Sequence, residues 1–354
     1  MKPITKEKIG WGMIGTGRIA REFSDSLALV PDGEVVAVGS RKLETAQAFA
    51  EEYGGTPYGS YEEMMQDPNV DIVYVATPHM VHEENVIMAA KYGKHILCEK
   101  PFAINRPQAE RMFAAAKEAD VFIMEGLWTR FFPVWQEAKK VIASGELGQL
   151  ISIDAACCWG ARRNISGDLH MGFFPRGDRR MELDLCGGAL LDAGIYSLAA
   201  ASVVMGGMTK MPKNIYSIMR FEESGVDSDT DIMLELEGGV TAHLVCSLHR
   251  RNNEVNVYFE DGTIHIPNAR NPQEIEIMRR VHQNGIPAFH AGSETVTKRI
   301  PYRTTGFQFE AEVVHRCLRE GLTTCPDVPP EETQTLIGIC DIVRAAHGLK
   351  YPYE

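Results

Sequence analysis

The residues Gly15-Thr16-Gly17-Arg18-Ile19-Ala20 stand between an apolar run, Ile9 to Ile14, and a segment in which Ile19, Phe23, Leu27 and Val30 recur at helical spacing. No other feature of the chain constrains its fold as strongly. A strand that turns through two glycines into a helix opens a βαβ unit, and the sequence repeats that rhythm. Strands are predicted at Glu34 to Gly39, Asp71 to Ala76, His95 to Cys98 and Val121 to Met124, with helices at Thr45 to Tyr53, His82 to Tyr92 and Gln108 to Ala119. The strands are unbroken apolar runs rather than alternating ones, as expected where a parallel sheet is covered on both faces. The first half therefore reads as a doubly wound Rossmann-type sheet.

After Met124 the pattern changes. Ile151 to Cys157, Ile215 to Phe221, Ile232 to Leu236, Thr241 to Leu248, Glu254 to Phe259 and Thr263 to Ile266 read as strands of a largely antiparallel sheet. Helices are expected at Ala189 to Met205, Phe307 to Glu320 and Glu331 to His347, covering one face of that sheet in an α+β domain. The other face is left open and calls for a partner, of which a second copy of the chain is the commonest. At 354 residues, 44% apolar, the chain divides naturally into two domains, placed at 1–127 and 128–354.

The formal charge of −12 repels phosphate backbones and anionic lipid, which argues against a nucleic-acid or membrane partner. No signal core is read at the N-terminus, and no run of about 18 apolar residues that would span a membrane, so a cytoplasmic location is expected. Eight cysteines are scattered without CxxC spacing and read as reduced, mostly buried thiols; no metal site is expected.

In the glycine turn, Gly15 permits the sharp bend and Gly17 removes a side chain where a dinucleotide pyrophosphate would meet the N–H groups opening the helix. Ala20 replaces the third glycine, which only has to let helix and strand approach closely. The second strand ends at Ser40, followed by Arg41-Lys42, where an acidic residue would accept from a ribose 2′-hydroxyl. A hydroxyl and cations suit a 2′-phosphate instead, favouring NADP(H), with NAD(H) possible. The alternative reading, in which Arg41 and Lys42 only solvate a helix start, leaves cofactor choice open.

Two further stretches carry chemistry. Cys98-Glu99-Lys100-Pro101 ends an apolar strand at the edge where open α/β sheets bind ligands, with Pro101 fixing the backbone beside Lys100. Gly187-Gly188-Ala189-Leu190-Leu191-Asp192-Ala193-Gly194-Ile195-Tyr196 places Asp192 and Tyr196 four residues apart, on one face of the expected helix. Oxidising a secondary alcohol requires a base for the hydroxyl proton, and a tyrosine near a lysine cation can supply it, with Asp192 holding the lysine or a substrate hydroxyl. His79 and His82 follow the fourth strand; one is expected to meet nicotinamide or substrate and the other to cap the helix. Trp128, Arg130, Phe131 and Phe132 read equally as pocket wall and as packing. The loop 160–184, with Arg162, Arg163, Arg176, Arg179, Arg180, Phe173 and Phe174, reads either as a lid or a contact to a phosphorylated or acidic substrate, or as a solvated or interface loop.

On the GxGxIA turn, Ala76-Thr77-Pro78 with His82, the Glu99-Lys100-Pro101 triplet and the GGALLDxGxY segment, nearly the whole chain resembles the Gfo/Idh/MocA oxidoreductase superfamily. Trp128-Thr129-Arg130-Phe131-Phe132-Pro133, His79 and Ile195-Tyr196 are similar to its dimeric dihydrodiol dehydrogenase and NADP-dependent D-xylose dehydrogenase branch. The resemblance implies an NAD(P)-dependent oxidoreductase on a sugar, polyol or dihydrodiol. It makes Lys100 the catalytic lysine, Tyr196 the acid/base and Asp192 the motif aspartate. Cofactor contacts are implied at Gly15, Thr16, Gly17, Arg18, Ile19, Ser40, Arg41, Thr77, Pro78, His82, Glu99 and Lys100, and substrate contacts at His79, Trp128, Arg130 and Phe131. A homodimer through the open sheet face is also implied. Cys186 departs from the pattern, since relatives usually place a third glycine there. Competing readings are an NAD-linked polyol or inositol dehydrogenase and a non-catalytic NADP(H) sensor.

Overall fold

A computed structural model describes residues 1–160, 178–283, 286–287 and 292–354. By packing, the chain divides into one unit of Met1–Trp128 with Arg303–Ile337 and another of Thr129–Tyr302 with Gly338–Glu354.

The first unit is built on β1 (Ile9–Ile14), α1 (Arg18–Leu27), β2 (Gly33–Gly39), α2 (Leu43–Tyr53), β3 (Thr56–Tyr58), α3 (Tyr61–Met65), β4 (Ile72–Val75), α4 (His82–Lys91), β5 (His95–Glu99), α5 (Arg106–Glu118) and β6 (Ile123–Gly126). The six strands form one parallel sheet in the order β3-β2-β1-β4-β5-β6. That is the dinucleotide-binding order, with its reversal between β1 and β4. β1, β4 and β6 are buried along their whole length, as their unbroken apolar runs require. Asn105 caps α5 by accepting from the Gln108 N–H at 2.9 Å. β3 and α3 were not anticipated: Thr56-Pro57-Tyr58 is a short, partly exposed edge strand with no periodic signal.

The second unit contains α6 (Pro133–Ser144), β7 (Leu150–Cys158), α7 (Ile195–Val204), β8 (Asn214–Phe221), β9 (Asp227–Glu235), β10 (Thr241–Ser247), β11 (Val255–Phe259), β12 (Gly262–Ile266), β13 (Glu274–Arg280), a ribbon of β14 (His282–Gln283) with β15 (Ile286–Pro287), and β16 (Ser293–Arg299). Eight of these strands form one sheet, ordered β16-β13-β12-β11-β7-β10-β9-β8. All its pairings are antiparallel except β10 with β7. Ile153, Ala155, Leu244, Cys246, Val257 and Ile264 point to the covered face and are buried. On the opposite face Tyr216, Ile218 and Met233 are 65%, 67% and 55% exposed, so the open face predicted from sequence is present. β16 escaped prediction because Ser-Glu-Thr-Val-Thr-Lys-Arg is exposed at every position.

α8 (Gln308–Glu320) and α9 (Pro330–Ala346) close the chain. The sequence division assigns all of 128–354 to the second domain, whereas Arg303–Ile337 packs with the first. The Trp11 indole N–H donates to His315 Nε2 of α8 at 2.9 Å, Ile123 pairs with Thr324, and Ile337 lies in the core beside Val75 and Ile96.

One expectation fails outright. Leu183–Val204 is long and apolar enough to cross a membrane by composition, contrary to the sequence reading, and its apolar window is wholly buried inside the protein. That burial is the behaviour of a core helix. All eight cysteines are buried, and none is in a disulfide.

Candidate active site

The residues predicted to hold a dinucleotide fall along one edge of the parallel sheet, at the C-terminal ends of β2, β1, β4 and β5. Gly15 adopts φ +100, and a Cβ there would lie 3.2 Å from the Ala76 carbonyl oxygen, so the β1 and β4 loops touch through this glycine. Gly17 is the N-cap of α1 and makes no side-chain cap; α1 has no acidic residue in its first turn. A Cβ on Gly17 would meet nothing within 4 Å. Open space in front of uncapped helix N–H groups fits a pyrophosphate. Thr16 and Ile19 are partly buried, and exposed Arg18 pairs with Glu22. Ser40 Oγ lies 2.5 Å from Thr45 Oγ1, while Arg41 and Lys42 are exposed.

The β4 and β5 loops are tied together by His82. Its Nε2 donates toward the Thr77 carbonyl at 2.9 Å, and its Nδ1 faces the Pro101 carbonyl at 3.1 Å. Thr77 Oγ1 accepts from the Asn85 side chain at 3.0 Å, and Pro78 is exposed. His82 and His79 are 1% and 3% exposed, and the N-cap of α4 is Val81, with no side-chain cap, so the expected histidine cap is not formed. The ring instead braces two loops.

Lys100 follows β5 across a cis Lys100–Pro101 peptide and is partly exposed. Glu99, predicted as a cofactor contact, has both carboxylate oxygens engaged in the fold: Oε1 accepts from the Tyr74 hydroxyl at 2.5 Å and Oε2 from the Lys100 N–H at 3.1 Å. Glu125 accepts from the Phe102 N–H at 3.2 Å and the Thr333 hydroxyl at 2.8 Å. The lysine thus sits on a turn held from three sides. Glu310 of α8 is fully buried near Gly126, and burial, with the charge of Glu99 added, pushes its carboxyl well above the usual range. Tyr74, Glu125 and Glu310 were missed; of these only Glu125, a carboxylate closing an apolar strand, left a signal in the sequence. Trp128 stacks on Phe307 at 4.5 Å, which favours its packing role.

In the second unit, the predicted α-helix over Ala189 to Met205 begins differently. Leu190–Gly194 forms a π-helical turn, and the α-helix α7 continues from Ile195. Such turns are rare and cluster at functional sites. The wider turn still leaves Asp192 and Tyr196 one turn apart, but the regular α spacing assumed from sequence does not hold. Asp192 is 2% exposed, and its Oδ1 accepts from Arg179 Nη2 at 2.9 Å. One partner of Asp192 is thus an arginine of the 160–184 loop.

Tyr196 is 7% exposed and lines a recess with Thr129, Arg130, Trp135, Ala199, Ala200, Val203 and Ala269. Arg130 therefore belongs with Tyr196. Phe131 is 6% exposed, and Phe132 packs on Tyr302 at 4.6 Å. Of the arginine-rich loop, Arg180 pairs with Asp178 at 2.7 Å and lies over Trp159. Arg162, Arg163, Arg176, Phe173 and Phe174 lie outside the described residues. Cys186 adopts the left-handed conformation, φ 53 and ψ 40, which explains why a glycine suits this position. Among the described residues no cluster of His, Cys, Asp and Glu could hold a metal ion.

Residues 9–127 match the family model "Oxidoreductase family, NAD-binding Rossmann fold", and residues 135–265 match the "GFO/IDH/MocA C-terminal domain". The trans-1,2-dihydrobenzene-1,2-diol dehydrogenases of Mus musculus and Homo sapiens are each 33% identical, covering 97% of this chain and 98% of their own. Among solved structures, the 3-ketoreductase KijD10 from Actinomadura kijaniata, in complex with NADP and TDP-benzene, superposes with a TM-score of 0.79 at 27% identity, over 96% of this chain and 97% of its own. An aldose-aldose oxidoreductase from Caulobacter crescentus, complexed with glycerol, superposes with a TM-score of 0.80 at 25% identity, over 97% and 98%. The parallel sheet with its open glycine turn, the two matched domains and these full-length relatives agree: the chain belongs to the Gfo/Idh/MocA family and is an NAD(P)-dependent oxidoreductase.

Proposed function

We propose that the protein interconverts a secondary alcohol and a carbonyl of a sugar, polyol or dihydrodiol, with NADP(H) preferred over NAD(H) and with Lys100 and Tyr196 in proton transfer. The nicotinamide, when bound, supplies the hydride acceptor or donor. Gly15, Gly17 and the first turn of α1 take the pyrophosphate, and Ser40 with Arg41 favours a 2′-phosphate, because a hydroxyl and a cation stand where no carboxylate repels it. Tyr196 Oη takes the hydroxyl proton on oxidation and returns it on reduction, Lys100 Nζ supplies positive charge, and Arg130 orients substrate oxygen atoms. Asp192, tied to Arg179, orients rather than transfers.

The observation that carries this reading is the recess in which Tyr196, a nearly buried phenol, shares a wall with Arg130. The full-length dihydrodiol dehydrogenase relatives support a diol substrate. Solved variants of the ketoreductase carry a tyrosine replaced by phenylalanine and a lysine replaced by glutamate, which points to the same pair of residue types. The test is calorimetry with NADPH and NADH side by side, followed by turnover of pentoses, hexoses, inositols and trans-1,2-dihydrobenzene-1,2-diol. Tight NADPH binding with turnover supports the proposal, NADH preference overturns the cofactor assignment, and binding with no turnover favours a sensor.

A homodimer through the open sheet face is part of the proposal. Tyr216, Met233 and His243 lie in register across β8, β9 and β10, giving a mixed apolar surface of the kind that a second copy covers. Ile218→Glu with Met233→Glu is expected to yield monomers by sedimentation; an unchanged sedimentation coefficient overturns this interface. A cytoplasmic location is proposed on the eight buried cysteines, which are held as thiols rather than as disulfides.

A further inference from the structure

The helical segment carrying Asp192 and Tyr196 starts without a cap of its own. Ala189 stands at its N-cap and offers no side-chain acceptor. The first amides of a helix must be met from somewhere, and a buried end left unmet is costly. Here the acceptor comes from another element. Asp227, the first residue of β9, is 0% exposed, and its Oδ2 accepts the Leu190 N–H at 2.8 Å and the Thr230 hydroxyl at 2.9 Å.

The other carboxylate oxygen, Oδ1, lies against Gly188, where a Cβ would approach to 2.1 Å. Gly188 also has φ +116, a conformation that side chains resist. The glycine before the helix is thus the space that admits the carboxylate. A few residues on, a Cβ at Gly194 would meet Cys246 Sγ at 3.0 Å, so the same helix is pressed onto β10. The segment is held at two points, its start against β9 and its middle against β10.

We propose that Asp227 is a positioning residue for the reaction: by anchoring the Leu190 N–H from β9, it sets where the helix begins and so the register at which Tyr196 Oη is presented. The inference rests on Tyr196 being the proton carrier. The anchor matters because Leu190–Gly194 is a π turn, and an α turn through the same residues would present a different set of side chains to the recess. A negative charge at the N-terminal end of a helix is also favoured by the helix dipole. Burial pushes the Asp227 carboxyl up to about 6, against the hydrogen bonds from Thr230, Leu190 and Ala189 that favour its ionised form. The titratable groups facing it are Cys246 from β10 and Tyr351 from the C-terminal tail, both pushed up by burial and by the Asp227 charge.

The test compares Asp227→Ala, Asp227→Asn and Tyr196→Phe in the full chain, measuring kcat, KM and NADPH affinity between pH 5 and 9 with trans-1,2-dihydrobenzene-1,2-diol as probe, together with amide hydrogen exchange over Leu190 to Tyr196. Asp227→Ala is expected to lose roughly 10- to 100-fold in kcat, with NADPH affinity within about threefold of the parent. Asp227→Asn keeps an acceptor in the same place, as the protonated carboxyl does, so it recovers most of that loss, and Leu190 exchanges faster in both. A folded Asp227→Ala with parental kcat, an Asp227→Asn as impaired in kcat as Asp227→Ala, or unchanged exchange at Leu190 overturns the proposal. If Asp227→Ala does not fold, the kcat and exchange of Asp227→Asn decide; if the probe diol is not turned over, exchange alone decides. Failure of the underlying reading is seen separately, as parental turnover in Tyr196→Phe, and it takes the positioning role down with it.

Discussion

Lys100 and Tyr196 are held by opposite constructions. Lys100 sits on a loop at a strand end, and the groups that fix it belong to neighbouring strands and loops: Glu99 and Tyr74, His82, and Glu125 on β6. Tyr196 sits inside a helix, and what fixes it is the helix's own start, anchored by Asp227 from a strand 37 residues away in sequence. A loop residue must be braced at its own position. A helical residue inherits its position from wherever the helix begins. The first design tolerates loss of one brace, and the second concentrates its tolerance at the start of one helix.

Six variants break or sharpen this contrast. The largest effects come from the residues themselves: Lys100→Met is expected to abolish turnover, and Tyr196→Phe to cut kcat by roughly 10²-fold or more, each leaving NADPH bound; parental kcat in either removes that residue from the proton-transfer step. Next comes Gly188→Ala. Its Cβ would stand 2.1 Å from Asp227 Oδ1 on a φ +116 backbone, so a loss of about 2 to 4 kcal/mol is expected in urea unfolding, and a loss under 1 kcal/mol would show that the anchor yields easily.

The two regions also respond to acid in opposite senses. His95, at the start of β5, is lowered by burial to about 4, and its Nδ1 accepts the Phe122 N–H, a bond available only to the unprotonated nitrogen. Its folded pKa lies below the unfolded value of about 6.5, so the native state binds fewer protons and the stability it contributes is lost as pH falls through that window. Asp227 runs the other way: raised to about 6 from 3.8, it makes the native state bind more protons, and stability falls as pH rises from about 4 to 6. His95→Gln should therefore flatten the acid-side loss of stability, and Asp227→Asn should steepen it, by at most about 1.4 kcal/mol per pH unit. Melting curves between pH 4 and 7 that respond alike in both variants would contradict this.

The smallest expected effect is that of Tyr74→Phe. It removes one donor to Glu99 while the Lys100 N–H remains, so about 1 to 2 kcal/mol of stability and less than tenfold of kcat are expected to be lost. A larger fall in kcat would mean that the lysine turn depends on one brace after all.

Legibility followed the same division. The glycine turn, the strand ends at Ser40, Thr77 and Glu99, and the open face of the second sheet were readable because each is a local pattern: periodicity, a glycine pair, a run of apolar residues. Asp192 and Tyr196 were found by spacing, yet the π turn beneath them was not, since nothing in Leu-Leu-Asp-Ala-Gly distinguishes it from an α turn. Arg179 as the partner of Asp192, and Asp227 as the anchor of Leu190, were invisible because each pairing joins elements that only the fold brings together. The edge strand β16 was missed for the converse reason: it buries nothing, so it has no pattern to read.

The sequence alone determined the parallel sheet, the edge on which the glycine turn and the proposed cofactor residues gather, and the residue types proposed for proton transfer, because burial on both faces and the turn before α1 are constraints written in adjacent residues. Only the tertiary structure decided what each charged group does: that Glu99 and His82 brace loops, that Asp192 answers to Arg179, and that a glycine at 188 makes room for a carboxylate. A side chain's chemistry is local, but its hydrogen-bond partners are set by which elements pack together, and that information is spread over the whole chain.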